Sequence, residues 1–262
     1  MTTDGKPRVC ANCGYLCYDS YCPKCGQKTD VGRLTVKSML HNLATAVIGG
    51  ESGLWHTLFM LFTHPERLMA DYIDGKRKNY FSPFPLLFLA LAVCLIALQT
   101  ANSDLTVQIE HFDADAIELH GEEKAIHVLQ QAKMVYQTFF QHFTLITLLF
   151  APVFVAGIRL CFGPAFRKRY NWAETLVLQV YLLVQVAICA SLLAILACFV
   201  PEARNYFWIL PILCALFLAW DSRTMSNAPT LRLCGRSALT VAFTLLVQLF
   251  IVAAVLTVIF LD

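Results

Sequence analysis

Residues 175–200 read TLVLQVYLLVQVAICASLLAILACFV, a run without a single Asp, Glu, Lys or Arg. A helix crosses the hydrocarbon core of a bilayer with about 20 mostly apolar residues, so this stretch is long enough to span. Reading outward, four more candidate spans appear. They are Pro83–Gln99 (PFPLLFLALAVCLIALQ, short), Phe143–Phe162 (FTLITLLFAPVFVAGIRLCF), Tyr206–Trp220 (YFWILPILCALFLAW, also short) and Ala238–Leu261. The short segment PEARN separates the third and fourth, so a re-entrant pair is the alternative to two crossings there. The composition agrees with a membrane protein. The chain has 262 residues, 58% hydrophobic and 15% charged, with a mean hydropathy of +0.60. Soluble domains average about 45–50% apolar and about 25% charged. A soluble core of five nearly charge-free runs could not be covered by the residues that remain.

The charges are distributed unevenly. With the N-terminus placed in the cytosol, 17 of the 20 Lys and Arg fall on the inner side, and only Lys124, Lys133 and Arg204 fall outside. The segment Asn102–Gln141 is acidic, with Asp104, Glu110, Asp113, Asp115, Glu118, Glu122 and Glu123. An excess of cations on cytoplasmic loops sets orientation, so the expectation is a cytosolic N-terminus and an outer C-terminus. The outer segments Thr100–His142 and Pro201–Asn205 contain no cysteine, so no disulfide framework is expected there. The N-terminus lacks the apolar region and cleavage site of a secretory signal. A net charge of +2 gives no reason to expect nucleic-acid binding.

The most specific local pattern is Cys10-Ala-Asn-Cys13-Gly, seven residues, then Cys22-Pro-Lys-Cys25-Gly. Each C-x-x-C turns two thiolates toward one metal, and the following glycines suit the positive φ that such a turn needs. Four thiolates at about 2.3 Å make a closed tetrahedral zinc site, structural rather than catalytic, because no position is left for substrate. Residues 1–33 are therefore read as a small zinc ribbon with Cys10, Cys13, Cys22 and Cys25 as ligands, and Cys17 as a spare thiol. The redox-dithiol alternative is weaker for two paired knuckles in a reducing compartment. A domain of this size cannot bury an adequate core, so metal binding and folding become one event.

Residues 34–82 read as amphipathic helices at the membrane surface. Leu54, Leu58, Phe59, Leu61 and Phe62 form an apolar stretch too short to cross. Pro65 opens a helix over Glu66–Asp74 with Leu68, Met69, Tyr72 and Ile73 on one side, and Gly75 ends it. Lys76, Arg77, Lys78 and Tyr80 then precede the first span, an order that suits a headgroup boundary. Read from residues alone, they set topology or grip lipid.

The stretches CANCG…YCPKCGQ and GLWHTLFMLFTHPERLMADYIDGKRKNYFSPF resemble a bacterial family, the domain of unknown function 3667. The matching positions are Gly53, Leu54, Thr57, Pro65, Tyr72, Ile73, Gly75, Lys76, Arg77, Tyr80, Pro83 and Phe84. They fall in roughly the first third of the chain; the later spans match only in hydrophobicity. The resemblance implies an inner-membrane protein and carries over no catalytic residue.

Polar groups in mid-span are limited to Gln179, Gln185 and Gln248, which usually join helices by hydrogen bonds. Pro152 and Pro211 are expected to kink their helices. Arg159 lies near the end of a span, from which it can snorkel to water. No ionisable group is expected in mid-span, where it would mark a transport pathway. His111, His120 and His127 in the outer segment fit no standard ligand spacing. No sequence motif of a hydrolase, metalloprotease or phosphate loop is present. The fold expected is thus an all-α membrane protein, a bundle of about five transmembrane helices over residues 83–262 with a small N-terminal zinc ribbon. Its partners would be the lipid bilayer and, through the ribbon, a cytosolic protein. The function expected is a non-enzymatic adaptor or scaffold of the inner (cytoplasmic) membrane. The alternative is a small transporter or lipid-handling protein with the ribbon as an accessory, and a membrane enzyme is a third reading. Substrate and oligomeric state are not legible.

Overall fold

A computed structural model describes residues 7–35, 53–120, 143–200, 209–226 and 228–261. The chain is mostly helical, with a small cysteine-rich domain at its start. In that domain β1 (Arg8–Val9) pairs antiparallel with β2 (Leu16–Cys17), Arg8 opposite Cys17 and Val9 opposite Leu16. Among the described residues eight helices follow: α1 (Leu54–Thr63), α2 (Pro65–Ile73), α3 (Pro83–His120), α4 (Phe143–Cys161), α5 (Gly163–Arg169), α6 (Trp172–Phe199), α7 (Ile209–Asp221) and α8 (Thr230–Leu261).

The opening sequence stretch forms the centre of the bundle. In α6, Val177, Leu178, Val180, Tyr181, Leu182, Val184, Ala187, Ala190, Ala194 and Ala197 are all buried; its first part is covered nearly all round, while Leu192, Ile195, Leu196 and Phe199 near its end are exposed. It starts at Trp172, earlier than expected, because Asn171 and Glu174 form a reciprocal capping box that satisfies backbone donors of the first turn. Beside α6 runs α3, and the two are parallel. The Tyr181 hydroxyl donates to the Phe81 carbonyl at 3.0 Å just before α3, and further along Ser191 lies beside Cys94. The facing residues are small, Ala90, Cys94, Ala97 and Ala101 on α3 against Ala187, Ala190 and Ala194 on α6, all buried. Lipid tails are as apolar as leucine, so what joins helices in a bilayer is close packing of this kind rather than removal from water. Gly157 does the same for α4 and α8: a Cβ there would stand 3.2 Å from the Phe243 ring.

Among the described residues, three helices are long and apolar enough to cross a membrane, Pro83–Ala101, Trp172–Phe199 and Thr230–Gln248. A fourth crossing exists if Leu149–Cys161 and Gly163–Arg169, bent by 116° at a break, are one span. Of the five expected spans, three or four pass by length and composition among the described residues. The short candidate at 206–220 is, from Ile209, a helix of 13 residues; residues 206–208 lie outside the described ones. α4 continues through Pro152, and a sharp break falls at Phe162–Gly163. The last helix begins at Thr230 rather than Ala238, and α3 continues to His120, so the first part of the expected outer loop is helical. His127 lies outside the described residues.

The segment between the cysteines and α3 packs deeply. α1 and α2 pack on each other across a break at His64-Pro65, with Pro65 at the first helical position, where its missing N–H costs nothing. Thr57, Leu61, Leu68, Met69 and Tyr72 are buried against α6 and α7. Trp55 and Phe59 on α1 point away from the bundle and are 81% and 65% exposed, so α1 shows apolar groups on both faces. Thr57 ties the start of α1 to the mouth of α3. Its hydroxyl donates to the Gly53 carbonyl and accepts from the Phe81 N–H at 2.7 Å.

Candidate metal centre and its seat on the bundle

The two C-x-x-C segments fold as near copies. Cys10 N–H donates to the Tyr15 carbonyl and Gly14 N–H to the Cys10 carbonyl; Cys22 with Gln27, and Gly26 with Cys22, repeat the pattern. Gly14 and Gly26 both take φ near +71°, the left-handed turn that a side chain resists. The result brings Cys10, Cys13, Cys22 and Cys25 together, all four sulfurs within 4.8 Å of one another. Cys10 and Cys25 are 3.6 Å apart and Cys13 and Cys22 3.5 Å. A tetrahedral ion with sulfur at about 2.3 Å needs sulfurs about 3.8 Å apart, so the cage fits such an ion closely. Cys17 stands outside it; its thiol lies 3.3 Å from the Tyr15 carbonyl.

The electrostatics of the cage favour a cation. Burial raises the Cys22 thiol, but N–H donors of Cys25 and Lys24 outweigh it and hold the group at about 6. The Tyr15 amide pulls Cys13 down, yet burial and the three neighbouring thiols push it up to about 12. Once one thiolate forms, the next is opposed at close range. A divalent ion removes that opposition, so its binding is coupled to loss of the remaining protons.

The cysteine domain is seated on the bundle by its second knuckle. Gln27, 5% exposed, donates through Nε2 to the Gly75 carbonyl at 3.0 Å. Its Oε1 accepts from the N–H groups of Arg77 and Lys78, each at 3.1 Å. Gly75 has φ +96°, and a Cβ there would sit 3.3 Å from Val31 and 3.5 Å from Ala11. Only glycine permits both the turn and this approach. A second anchor follows the cysteines. Arg33 donates to both carboxylate oxygens of Glu174, at 2.7 and 2.9 Å, and to the Arg169 carbonyl at 2.8 Å. Leu34 is buried, and its carbonyl accepts from the Asn171 side chain at 2.9 Å.

This places the residues expected at a headgroup boundary. Lys76 pairs with Asp71 at 2.7 Å. Arg77 donates to the carbonyls of Tyr72 and Gly32 and lies over the Tyr72 ring. Tyr80 is buried and donates to Asp71 at 3.0 Å; burial and that bond push its hydroxyl up to about 12. Lys78 is exposed. Arg159 does not snorkel. It turns inward, donates to the Tyr170 carbonyl at 2.7 Å and to Thr175, and stacks over Trp172.

One polar group escaped the sequence reading. Asp221, one residue beyond the expected end of its span, is fully buried. Gln185, in the middle of α6, donates to Asp221 at 3.3 Å and to the Leu61 carbonyl at 2.9 Å. Hydropathy had placed Asp221 in a loop. The position of a glutamine in mid-span was the only signal that a partner was needed.

These features define a class: a helical protein with membrane-spanning helices and a four-cysteine domain docked at one end of the bundle. Residues 51–95 match the model of a family described as a protein of unknown function, DUF3667, so the resemblance read from the sequence holds over that stretch. No curated protein and no solved structure matches the chain. The matched stretch contains the Gly53 and Thr57 tie, the α1–α2 pair, the Gly75–Lys78 seat and the start of α3. The shared residues Tyr72, Gly75, Arg77 and Tyr80 are thus packing and docking residues in this chain.

Proposed function

We propose that the protein is a non-enzymatic adaptor of the inner (cytoplasmic) membrane, in which a structural zinc ribbon presents a docking face to a cytosolic protein. The observation that carries this reading is the free side of the cysteine domain. One side is fixed to the bundle by Gln27 and Arg33. On the other, Val9 and Leu16 face each other across the hairpin and are 66% and 47% exposed, with Tyr15, Tyr18 and Tyr21 exposed beside them. Large apolar groups gathered in the open on so small a domain mark an interaction site, and tyrosines are among the residues that anchor interfaces. Zinc is the ion of choice for four thiolates in a tetrahedral cage. The cation distribution supports a cytosolic position for this end of the bundle and an outer one for Asp262. Lys78, with the α5 cations Arg167, Lys168 and Arg169, would face anionic headgroups there.

A photo-crosslinking residue at Tyr18 in intact cells tests the reading. It should give one discrete protein adduct, lost in a Tyr15→Ser, Leu16→Ser variant that keeps its metal. Adducts to lipid alone, or a protein adduct indifferent to those substitutions, would sink it. A second reading, a small transporter or lipid-handling protein, is favoured by one observation: the buried Gln185–Asp221 pair inside the bundle. Polar pairs of that kind in membranes mark substrate or ion paths.

A further inference from the structure

Asp221 ends α7 with no exposed surface, and its Oδ2 has no hydrogen-bond partner among the described residues. Its Oδ1 has one, the Gln185 amide. The amide cannot be turned over to serve Oδ2, because the same Nε2 also donates to the Leu61 carbonyl. The elements packed on α7 are α2, α6 and α8. From α2 comes Glu66, a second carboxylate that acts on Asp221 through space. From α6 comes neutral Gln185. On α8, Arg232 and Arg236 make no ion pair with Asp221, and neither does Arg223 just beyond α7, nor Arg67 on α2. Cys214, on α7 itself, also feels the Asp221 charge. An ionised carboxylate here would be a buried charge with no counter-charge and an empty oxygen, which costs several kcal/mol.

Glu66 offers the way out. Its Oε2 is buried without a partner. Its Oε1 lies 4.0 Å from Nδ1 of His64, whose side chain is 62% exposed. A histidine at the surface, a half-buried glutamate and a buried aspartate make a graded series from water into the bundle. Chains of such residues carry protons in membrane proteins.

We propose that Asp221 is a proton-binding site, held as the neutral acid inside the bundle and exchanging its proton with the surface through Glu66 and His64. The ligand is a proton rather than a metal cation. Hard cations need about six or more oxygen ligands, and among the described residues the only cluster of three or more metal-ligating side chains is the cysteine cage. The step needs only an acid dissolved in the water: hydronium gives its proton to His64 and becomes water, Glu66 relays the proton, and Asp221 Oδ2 takes it, so one positive charge in solution and the aspartate's negative charge are lost together. The proposal is independent of the adaptor reading, since it concerns neither the ribbon nor its partner.

Infrared difference spectroscopy of the full chain in lipid nanodiscs tests it. At neutral pH the wild type should show a protonated-carboxyl carbonyl band that Asp221→Asn removes. Asparagine matches the neutral acid in shape, so the variant should melt no lower than the wild type. After a jump to alkaline pH the band should vanish in the wild type, and at least about ten times more slowly in Glu66→Gln, whose relay is cut. Exchanging sodium for potassium should leave the titration unchanged. A neutral-pH band of equal strength in wild type and Asp221→Asn would overturn the proposal, and so would a titration that shifts with sodium. Should Asp221→Asn fail to fold, the wild type alone decides, because absence of the band at neutral pH refutes a neutral acid.

Discussion

Replacing Gln27 with alanine should loosen the cysteine domain from the bundle without emptying the metal cage. The magnitude follows from three hydrogen bonds. Gln27 gives one to Gly75 at 3.0 Å and takes two, from Arg77 and Lys78, at 3.1 Å each. A typical intramolecular hydrogen bond contributes about 1 kcal/mol net, and more is lost where the orphaned backbone group stays buried. Gln27 is 5% exposed, so water cannot replace all three. The docked state should therefore lose about 3 kcal/mol, which at about 1.4 kcal/mol per decade is a little over a hundredfold. Amide hydrogen exchange of the full chain in detergent reads this directly. The Arg77 and Lys78 N–H groups should lose about two decades of protection, while those of Cys10 and Cys22, bonded within their own knuckles, should lose none. Metal content should not change. Unchanged protection at Arg77 and Lys78 would refute the seat. Equal loss across the knuckles would mean that Gln27 serves the fold of the cysteine domain rather than its docking.

A Cys13→Ser, Cys25→Ser chain should lose its equivalent of zinc by elemental analysis and still fractionate with membranes; full zinc would refute the four-thiolate cage. Acidification should release the metal, because protons compete with it for the four thiolates; a chelator-dye signal indifferent to falling pH would contradict this. Arg33→Ala should weaken docking, seen as faster exchange at the Asn171–Glu174 cap; unchanged exchange there would refute the anchor. A C-terminal alkaline phosphatase fusion should be active and a green fluorescent one dark, and the reverse would place Asp262 in the cytosol.

The cage was legible because its chemistry is local. Two C-x-x-C-G units carry their own turn, and nothing distant is needed to bring four sulfurs together. The spans were legible as runs but not as ends. Trp172 and Thr230 open their helices earlier than hydropathy suggests, since a capping box and a polar first turn extend a helix beyond its apolar run. What the sequence hid was docking. A lysine and arginine cluster beside a bilayer reads as a headgroup contact, yet Lys76 and Arg77 spend their donors on Asp71 and on backbone carbonyls. The partner of that segment is Gln27, some fifty residues earlier, and one glutamine after a knuckle has no signature.

The same long-range contact gives the matched family stretch its physical meaning. Lys76 and Arg77 have partners inside the protein, which a need for charge at a membrane surface does not by itself require. A turn that must accept a second domain explains more. Gly75 leaves room for Val31 and Ala11, the Arg77 and Lys78 amides point at one glutamine oxygen, and Asp71 gathers Lys76 and Tyr80 beneath them. Gly75→Ala separates the two accounts. A methyl group adds no charge and takes none away, so a segment serving only as a topology signal would tolerate it. A seat would not, because the residue must leave φ +96° or push Val31 from 3.3 Å. Loss of Arg77 and Lys78 amide protection in Gly75→Ala, matched by full protection in Lys78→Gln, is the outcome that a docking turn requires. The opposite pair of results would return the segment to the membrane surface.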